Sequence, residues 1–156
     1  MCKVISAFAK RFKPVYFLKR NGAKIGEKVF IDKGFKPGSE IDLISIGNNV
    51  NISANCRIIC HDGSNVVLER LKLSEKGFRK YGTVSIGNNV FVGIDVTFLP
   101  NSGVGDNCIV GYGSVVTKSF GNNVVIAGCP AKVICSIEEF TKKNIPLFTK
   151  RWKYYS

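Results

Sequence analysis

The sequence predicts an all-β solenoid in which short strands, separated by sharp corners, stack into a triangular coil. Three observations support this prediction: apolar residues recur at every sixth position, small or β-branched residues stand four positions after them, and glycine and asparagine are frequent in between. An α-helix repeats at about 3.6 residues and a simple strand at about 2, so neither element alone gives a sustained period of six. The strands of a β-sandwich do not keep such an unbroken register either.

The six-residue period is clearest after residue 85 and has an earlier block before residue 60. Its apolar positions are Ile46, Ile52, Ile58, Ile86, Val92, Phe98, Val104, Val110 and Val116, and a fragment with Ile25 and Ile31 precedes them. Its small or β-branched positions are Val50, Cys56, Val90, Val96, Ser102, Cys108 and Ser114. Both sets are expected to point inward, so Cys56 and Cys108 are predicted to be small buried fillers. Glycine and asparagine, as in the IGNNV segments at 46–50 and 86–90, supply corner conformations with positive φ.

One segment, 64–82, interrupts the repeat. The step from Ile58 to Ile86 is 28 residues, which is not a multiple of six. The segment is therefore predicted to leave the coil as an external loop, and long loops inside compact domains are often functional.

The two ends lie outside the repeat. We divide the chain into an N-terminal helical or extended segment over 1–24, the coil over 25–134, and a C-terminal helix with a basic tail over 135–156. Residues 1–13 are predicted to form a short basic amphipathic helix that stops before Pro14. Ser136 and Glu139 have the spacing of a capping box, which predicts that the C-terminal helix begins there.

Composition limits the classes of partner. The chain has 23 Lys and Arg against 11 Asp and Glu, a net charge of +12. This balance attracts anions, but no nucleic-acid recognition motif accompanies it, so nucleic acid is not expected as a partner. No signal peptide or long apolar span is present, and the six cysteines form no C-x-x-C pair. We therefore predict a cytoplasmic protein with free thiols, whose basic N-terminal segment can lie against the anionic inner surface of the membrane.

Residues 84–134 carry a family resemblance. This segment ends in GYGSVVTK at 111–118 and GNNVVIAGCPAKVI at 121–134. It resembles the hexapeptide-repeat acyltransferases, which fold as left-handed parallel β-helices, and the match extends from about Ile25 to Glu139. The sequence is most similar to the sugar O-acetyltransferases of the maltose, galactoside, capsule and O-antigen type. The resemblance implies a left-handed coil, acetyl-CoA as donor, a sugar acceptor in surface polysaccharide synthesis, and a homotrimer whose loop projects over the neighbouring subunit's active site.

The chain contains one histidine, His61, in RIICHDGSN, where the coil gives way to the loop. Transfer from a thioester to a hydroxyl needs a base that titrates near the working pH, as imidazole does, and the imidazolium can then protonate the departing sulfur. The resembling enzymes carry their catalytic histidine just before this loop, which implies that His61 is the general base. The group that orients the ring is left open, because Asp62 would point to the opposite face of a strand.

The resemblance also implies positions for donor and acceptor. The residues expected along the acetyl-CoA groove are Gly93, Gly111, Tyr112, Thr117, Lys118 and Lys132. Tyr112 replaces a usually small residue and is expected to narrow the channel. Backbone N–H groups near Gly93 are expected to stabilise the oxyanion, because Ile94 stands where some relatives carry a hydroxyl. Asp62 and Asp42 are weaker candidates for contacts to the sugar, and no metal is expected.

Several alternatives remain open from the sequence. The acceptor can be an antibiotic of the streptogramin or chloramphenicol type, or an amino sugar that is acylated on nitrogen. A non-catalytic scaffold can use the same solenoid. The γ-class carbonic anhydrases share the coil, but they bind zinc through three histidines, and this chain has one.

Overall fold

Three parallel sheets form the sides of a triangular prism in the computed structural model of the chain, which describes residues 13–149. The fold is the parallel β-helix that the six-residue period predicts, with the left hand that the family resemblance implies. Each full turn of the chain, here called a coil, contributes one strand to sheet 1, one to sheet 2 and one to sheet 3.

The strands are short and follow one another around the prism. Coil 1 contains β1 (Lys24–Ile25), β2 (Phe30–Ile31) and β3 (Lys36–Pro37), and coil 2 contains β4 (Ile44–Ile46), β5 (Val50–Ile52) and β6 (Arg57–Ile58). The antiparallel strands β7 (His61–Asp62) and β8 (Lys80–Tyr81) lie outside the coil. Coil 3 contains β9 (Val84–Ile86), β10 (Val90–Val92) and β11 (Thr97–Phe98), and coil 4 contains β12 (Ser102–Val104), β13 (Ile109–Val110) and β14 (Val115–Val116). A partial coil 5 contains β15 (Ser119–Phe120) and β16 (Val124–Ala127), and β17 (Lys132–Ser136) turns back antiparallel to β16.

Short helices accompany the coil. Helix α1 (Pro14–Arg20) packs against β1 and β2 with Leu18 fully buried. Most of the helix predicted over 1–13 lies outside the described residues, and its end before Pro14 stays a prediction. Pro14 begins α1, with Lys13 as the N-cap, because proline fixes a helical φ and its missing N–H is not needed in a first turn.

The other helices are α2 (Asn65–Arg70), in the external loop, and α3 (Ile137–Asn144) after the last strand. The predicted capping box of α3 is confirmed, since Ser136 and Glu139 exchange both hydrogen bonds. Single 3-10 turns occur at Ile41–Leu43 and Ile145–Leu147. Within residues 13–149, no helix combines the length and the apolar character that crossing a bilayer requires.

The interior of the prism is filled by the two inward sets that the period predicts. Every apolar position from Ile46 to Val116 is buried, and so is every small or β-branched position from Val50 to Ser114. Cys56 and Cys108 are each 1% exposed, which confirms them as small fillers.

Hydrogen bonds between coils fix the corner between sheets 1 and 2, here called the Asn corner (residues 26–29, 47–49, 87–89, 105–108 and 121–123). The Asn88 side-chain oxygen accepts the backbone N–H of Asn48 at 2.8 Å, and the Asp106 carboxylate accepts the N–H of Asn88 at 2.6 Å. Asn122 accepts the N–H of Asp106 in the same way at 2.8 Å. The backbone N–H groups of Asn48, Asn88 and Asp106 are thus each accepted by a side chain of the coil above.

The second asparagine of each IGNNV segment has a different task. Asn49 and Asn89 have φ of 55° and 54°, in the left-handed region that Asn tolerates better than most residues. The Asn89 side-chain amide also donates to Asn107 at 2.9 Å. The first asparagine of each segment therefore accepts a backbone N–H from the neighbouring coil, and the second gives the chain its sharp turn.

The third corner is the only one of variable length among the described coils. The steps from sheet 1 to sheet 2 and from sheet 2 to sheet 3 are always six residues, as in Ile46, Ile52 and Ile58. From sheet 3 to sheet 1 the step varies. It is nine residues from Pro37 to Ile46, 28 from Ile58 to Ile86, six from Phe98 to Val104 and four from Val116 to Phe120. We call this corner, residues 38–43, 59–83, 99–101 and 117–118, the variable corner.

Close approach at the Asn corner predicts the effect of adding a methyl group at Gly87. A Cβ there would lie 2.5 Å from the carbonyl carbon of Gly105 and 2.5 Å from an Asp106 carboxylate oxygen. Gly87→Ala is expected to destabilise the protein by about 2 kcal/mol, as overpacking does elsewhere. Urea unfolding followed by circular dichroism measures this loss. Gly121→Ala is the matched control, since a Cβ there meets nothing within 4 Å, and equal midpoints for the two variants would contradict the close-approach explanation.

Candidate active site

His61 lies at the variable corner, at the point where the chain leaves coil 2. It is the first residue of β7 and stands opposite Tyr81 of β8, with the two ring centroids 6.4 Å apart. The Gly82 N–H donates to the carbonyl oxygen of Cys60 at 2.8 Å and closes the base of the loop. The histidine is therefore held between the rigid coil and the root of the loop.

Glu40 orients the His61 ring. Its Oε2 lies 2.8 Å from Nδ1 of His61, and its Oε1 accepts the Ser39 hydroxyl at 2.7 Å. An ionised carboxylate only accepts hydrogen bonds, so in the neutral ring Nδ1 carries the proton. The second ring nitrogen, Nε2, then holds a lone pair, as a general base requires.

The charge state of Glu40 follows from its surroundings. Burial raises its pKa, but the hydrogen bonds from Ser39 and His61 outweigh burial, so the pKa lies below the ordinary value of 4.5. Glu40 is consequently a carboxylate at neutral pH. The side chains of Glu40 and His61 are 20% and 40% exposed, so the pair is sheltered while the imidazole remains accessible.

The sequence interpretation missed Glu40 because this residue precedes His61 by 21 residues and belongs to coil 1. The nine-residue step from Pro37 to Ile46 breaks the six-residue count. A signal that could have found Glu40 lies in the register of the coils. Pro37 and Ile58 pair with each other, so the residues three positions after them, Glu40 and His61, are expected to lie side by side.

The two acids predicted as weaker sugar contacts lie near this pair. The Asp62 carboxylate accepts the Ser64 N–H at 2.8 Å, and this hydrogen bond lowers its pKa. Asp42 is exposed in the 3-10 turn that follows Glu40. Their contact with an acceptor stays a prediction.

Cys60 lies beneath the site and is fully buried. Burial, and then the nearby carboxylates of Glu40 and Asp42, raises the pKa of its thiol to about 11. The thiolate is the nucleophilic form of cysteine, so a protonated buried thiol does not act as a nucleophile at neutral pH.

Three residues predicted for the donor groove meet at the corner between sheets 2 and 3, here called the glycine corner (residues 93–95 and 111–113). A Cβ at Gly93 would lie 2.6 Å from the backbone nitrogen of Tyr112, and the Tyr112 side chain is 85% exposed. The Gly93 N–H donates to Val110 at 2.8 Å and is not available to a ligand. The next amide, that of Ile94, donates to no acceptor within residues 13–149.

The remaining donor residues lie elsewhere. Thr117 and Lys118 are at the variable corner, two coils above His61, a height of about 10 Å for two strand spacings. The Lys118 ammonium lies 5.5 Å from the centroid of the Phe120 ring. Lys132 begins β17 and pairs with Ala127. The structure therefore groups Gly93, Gly111 and Tyr112, and places Thr117 and Lys118 at a different edge of sheet 3.

The external loop is folded and exposes several apolar side chains among charged ones. Glu69 accepts hydrogen bonds from Asn65 and from the Gly77 N–H at 3.0 and 2.9 Å, which ties α2 to the returning chain. Its exposed apolar side chains, between 39% and 72% accessible, are Val66, Val67, Leu68, Leu71, Leu73 and Phe78.

Comparison with known proteins identifies relatives. A family model described as bacterial transferase hexapeptide (six repeats) matches residues 83–118. Protein CapG of Staphylococcus aureus is 44% identical over 119 residues, which are 75% of this chain and 67% of CapG. Galactoside O-acetyltransferase of Escherichia coli K12 is 34% identical over 134 residues, covering 83% of this chain and 61% of that enzyme. The crystal structure of a maltose O-acetyltransferase from Clostridium difficile 630 superposes with a TM-score of 0.62 and 25% identity, over 86% of this chain and 83% of that one. The chain thus spans 61% to 67% of the first two relatives' length.

The burial of the cysteines predicts how they react. With a maleimide at neutral pH, Cys56, Cys60 and Cys108 are expected to stay unlabelled in the folded protein, because all three are buried. Cys129 is exposed and is expected to be labelled. Peptide mapping by mass spectrometry checks this pattern, and labelling in concentrated urea is the control. Rapid labelling of Cys60 in the folded protein would contradict the burial of its thiol beneath the Glu40–His61 pair.

Proposed function

Because the chain belongs to the hexapeptide-repeat acyltransferase family, we propose that it transfers the acetyl group of acetyl-CoA to a hydroxyl group of a sugar. The names of the galactoside and maltose O-acetyltransferases support a sugar hydroxyl as the acceptor. A role in surface polysaccharide synthesis and a cytoplasmic location stay predictions.

The observation that carries the proposal is the Glu40–His61 pair. With Nδ1 held by Glu40, the Nε2 lone pair of His61 takes the proton of the sugar hydroxyl while the hydroxyl oxygen attacks the thioester carbonyl. The tetrahedral intermediate collapses with cleavage of the carbon–sulfur bond. The imidazolium then gives its proton to the CoA sulfur, so His61 returns to its starting form. The Glu40 carboxylate stabilises the imidazolium during this cycle, as the carboxylate does in other acid–histidine pairs.

The donor groove and the oxyanion donor belong to the proposal as well. The free amide of Ile94 is the candidate that stabilises the oxyanion, since the Gly93 N–H is already bonded within the coil. Thr117 and Lys118, at the variable corner, and Lys132, on β17, reach the groove where it runs between two subunits, with the two lysines near the CoA phosphates. The exposed Tyr112 ring narrows the channel beside Gly93.

The site needs more than one chain. His61 and Ile94 lie at different corners of the prism, separated by the six-residue width of sheet 3, which is roughly 15–20 Å. No single chain brings them together without rebuilding the coil. A homotrimer, in which the variable corner of one subunit faces the glycine corner of the next, supplies both. The apolar surface of the external loop supports this, because residues that are more than half exposed, such as Leu71 and Leu73, gain free energy when a neighbour covers them.

A thiol-release assay with acetyl-CoA and a panel of sugars, nucleotide sugars, amino sugars and antibiotics tests the activity. His61→Ala is expected to lower kcat by about 10²- to 10⁴-fold, the range for loss of a general base. Glu40→Ala is expected to lower kcat to a value between those of wild type and His61→Ala, without changing the KM for acetyl-CoA. Glu40→Gln keeps an acceptor oxygen and is expected to recover part of the loss.

Asp62→Asn is the matched control for Glu40, because Asp62 is the neighbouring acid but bonds Ser64 instead of the ring. It is expected to leave kcat unchanged, and a higher KM for the sugar would support its predicted contact with the acceptor. Unaltered turnover in His61→Ala would refute the mechanism and favour a scaffold whose activity comes from elsewhere.

The oligomeric state gives an independent test. The double variant Leu71→Ser, Leu73→Ser is expected to convert the trimer to monomers and to abolish transfer, because the loop loses the apolar side chains that the neighbour covers. Light scattering coupled to gel filtration measures the mass. Leu147→Ser is the control, since Leu147 is equally exposed at 72% but lies outside the loop. A fully active monomer would disprove the shared site.

A further inference from the structure

The base of the coil, defined as α1 together with coil 1 (residues 13–36), carries most of the net charge of the described chain. It has seven Lys and Arg against two Asp and Glu, a net charge of +5. Residues 37–149 have ten Lys and Arg against nine Asp and Glu, a net charge of +1. Positive charge is therefore concentrated at one end of the prism.

Three of the four lysines of coil 1 occupy outward positions that are neutral in the next coil, whereas the fourth, Lys36, pairs with Arg57. The register pairs three lysines with short uncharged residues, namely Lys24 with Ser45, Lys28 with Asn49 and Lys33 with Ala54. Coils 3 and 4 also carry uncharged residues at these three places, which are Ser85, Asn89, Ile94, Gly103, Asn107 and Tyr112. Lys24 lies on sheet 1, Lys28 at the Asn corner, and Lys33 at the corner between sheets 2 and 3. The positive charge is therefore spread around the base of the coil.

Lys28 shows that this charge overrides local preference. Its φ is +53°, in the left-handed region where the other coils place Asn49, Asn89, Asn107 and Asn123. A lysine is less suited to this conformation than an asparagine. All three lysines are exposed, and across residues 13–149 none of them forms an ion pair with a carboxylate.

We propose that the base of the coil docks on an anionic membrane surface. Lysines attract the anionic headgroups, and each one near the surface strengthens binding. Tyr16 and Phe30 lie in the same segment, 55% and 59% exposed, and aromatic side chains of this kind favour the headgroup region. The partner is a lipid bilayer that contains anionic lipid, and the protein lies on it without crossing it.

A flat partner fits this arrangement better than a polymer strand. The lysines surround the end of the prism and do not follow one groove, as contacts to an extended polyanion would. In the proposed trimer, three-fold symmetry places all three bases at the same height along the axis, so they contact one plane together. His61, on coil 2, would then lie close to the membrane, within reach of a sugar carried on a lipid. The trimer strengthens the docking by multivalency, but the charge argument stands for each chain alone.

Vesicle sedimentation of the full chain tests the proposal. Wild type is expected to bind vesicles of equal parts phosphatidylglycerol and phosphatidylcholine at low salt, and to dissociate at about 0.5 M salt, where screening is strong. The triple variant Lys24→Ser, Lys28→Asn, Lys33→Ala carries the residues of coil 2 and should fold. It is expected to bind at least tenfold more weakly, since each lysine contributes about fivefold.

The double variant Lys142→Gln, Lys143→Gln removes two positive charges from α3 and is expected to bind within twofold of wild type. Acetyl transfer to a soluble acceptor is expected to be unchanged in the triple variant and in this double variant, so loss of docking and loss of catalysis are measured separately. Equal loss of binding in both variants would overturn the proposal, as would equal wild-type binding to pure phosphatidylcholine. Binding of soluble dextran sulfate is measured for the same variants. If it falls in the coil 1 variant and not in the control, as vesicle binding is expected to, the base is assigned to anionic polymers and the membrane proposal is overturned.

Discussion

Register between neighbouring coils is the constraint on which the rest of this structure depends. A parallel coil has no hairpins to fix its strands, so each turn must be aligned by the turn above it. Side chains at the Asn corner do this by accepting backbone N–H groups across coils, as Asn88 does for Asn48. The same alignment puts Glu40 of coil 1 beside His61 of coil 2. Slippage of one residue would turn every inward side chain outward and separate the pair.

Two corners with a constant step of six residues leave one corner free to vary. All insertions and deletions among the described coils fall between sheet 3 and sheet 1, and the Glu40–His61 pair lies at that corner. The nine-residue step supplies Ser39, Glu40 and Asp42, and the 28-residue step supplies His61 and the loop. The insertions at the variable corner therefore leave the hydrogen bonds between coils at the Asn corner intact. This division explains how a fold with so regular an interior can carry an irregular segment at one corner.

The sequence was sufficient for whatever depends on the six-residue period. The inward residues from Ile46 to Val116, the positive φ of Asn49 and Asn89, and the capping box at Ser136 follow from local pattern, and the structure has all of them. Glu40 was missed because the nine-residue step after Pro37 interrupts the period there, although Pro37 and Ile58 still occupy equivalent places three residues before Glu40 and His61. Helix α1 was not predicted as a separate element, because its seven residues carry no long apolar period, and it is stabilised by the burial of Leu18 against coil 1. The cluster of Lys24, Lys28 and Lys33 at the base of the coil can be recognised only when the strand register shows which residues are equivalent in successive coils.

The antiparallel strand β17 has a consequence for the association of these molecules. A stack of parallel strands ends in an edge with open hydrogen-bonding groups, onto which another chain could add and extend the coil into a fibre. Because β17 runs against β16, a newcomer at that edge of sheet 2 meets a strand of the wrong direction, and the coil cannot be continued from it. At the opposite end, α1 covers β1 and β2. At sheet 2, the reversed strand therefore prevents the parallel stack from growing past β17.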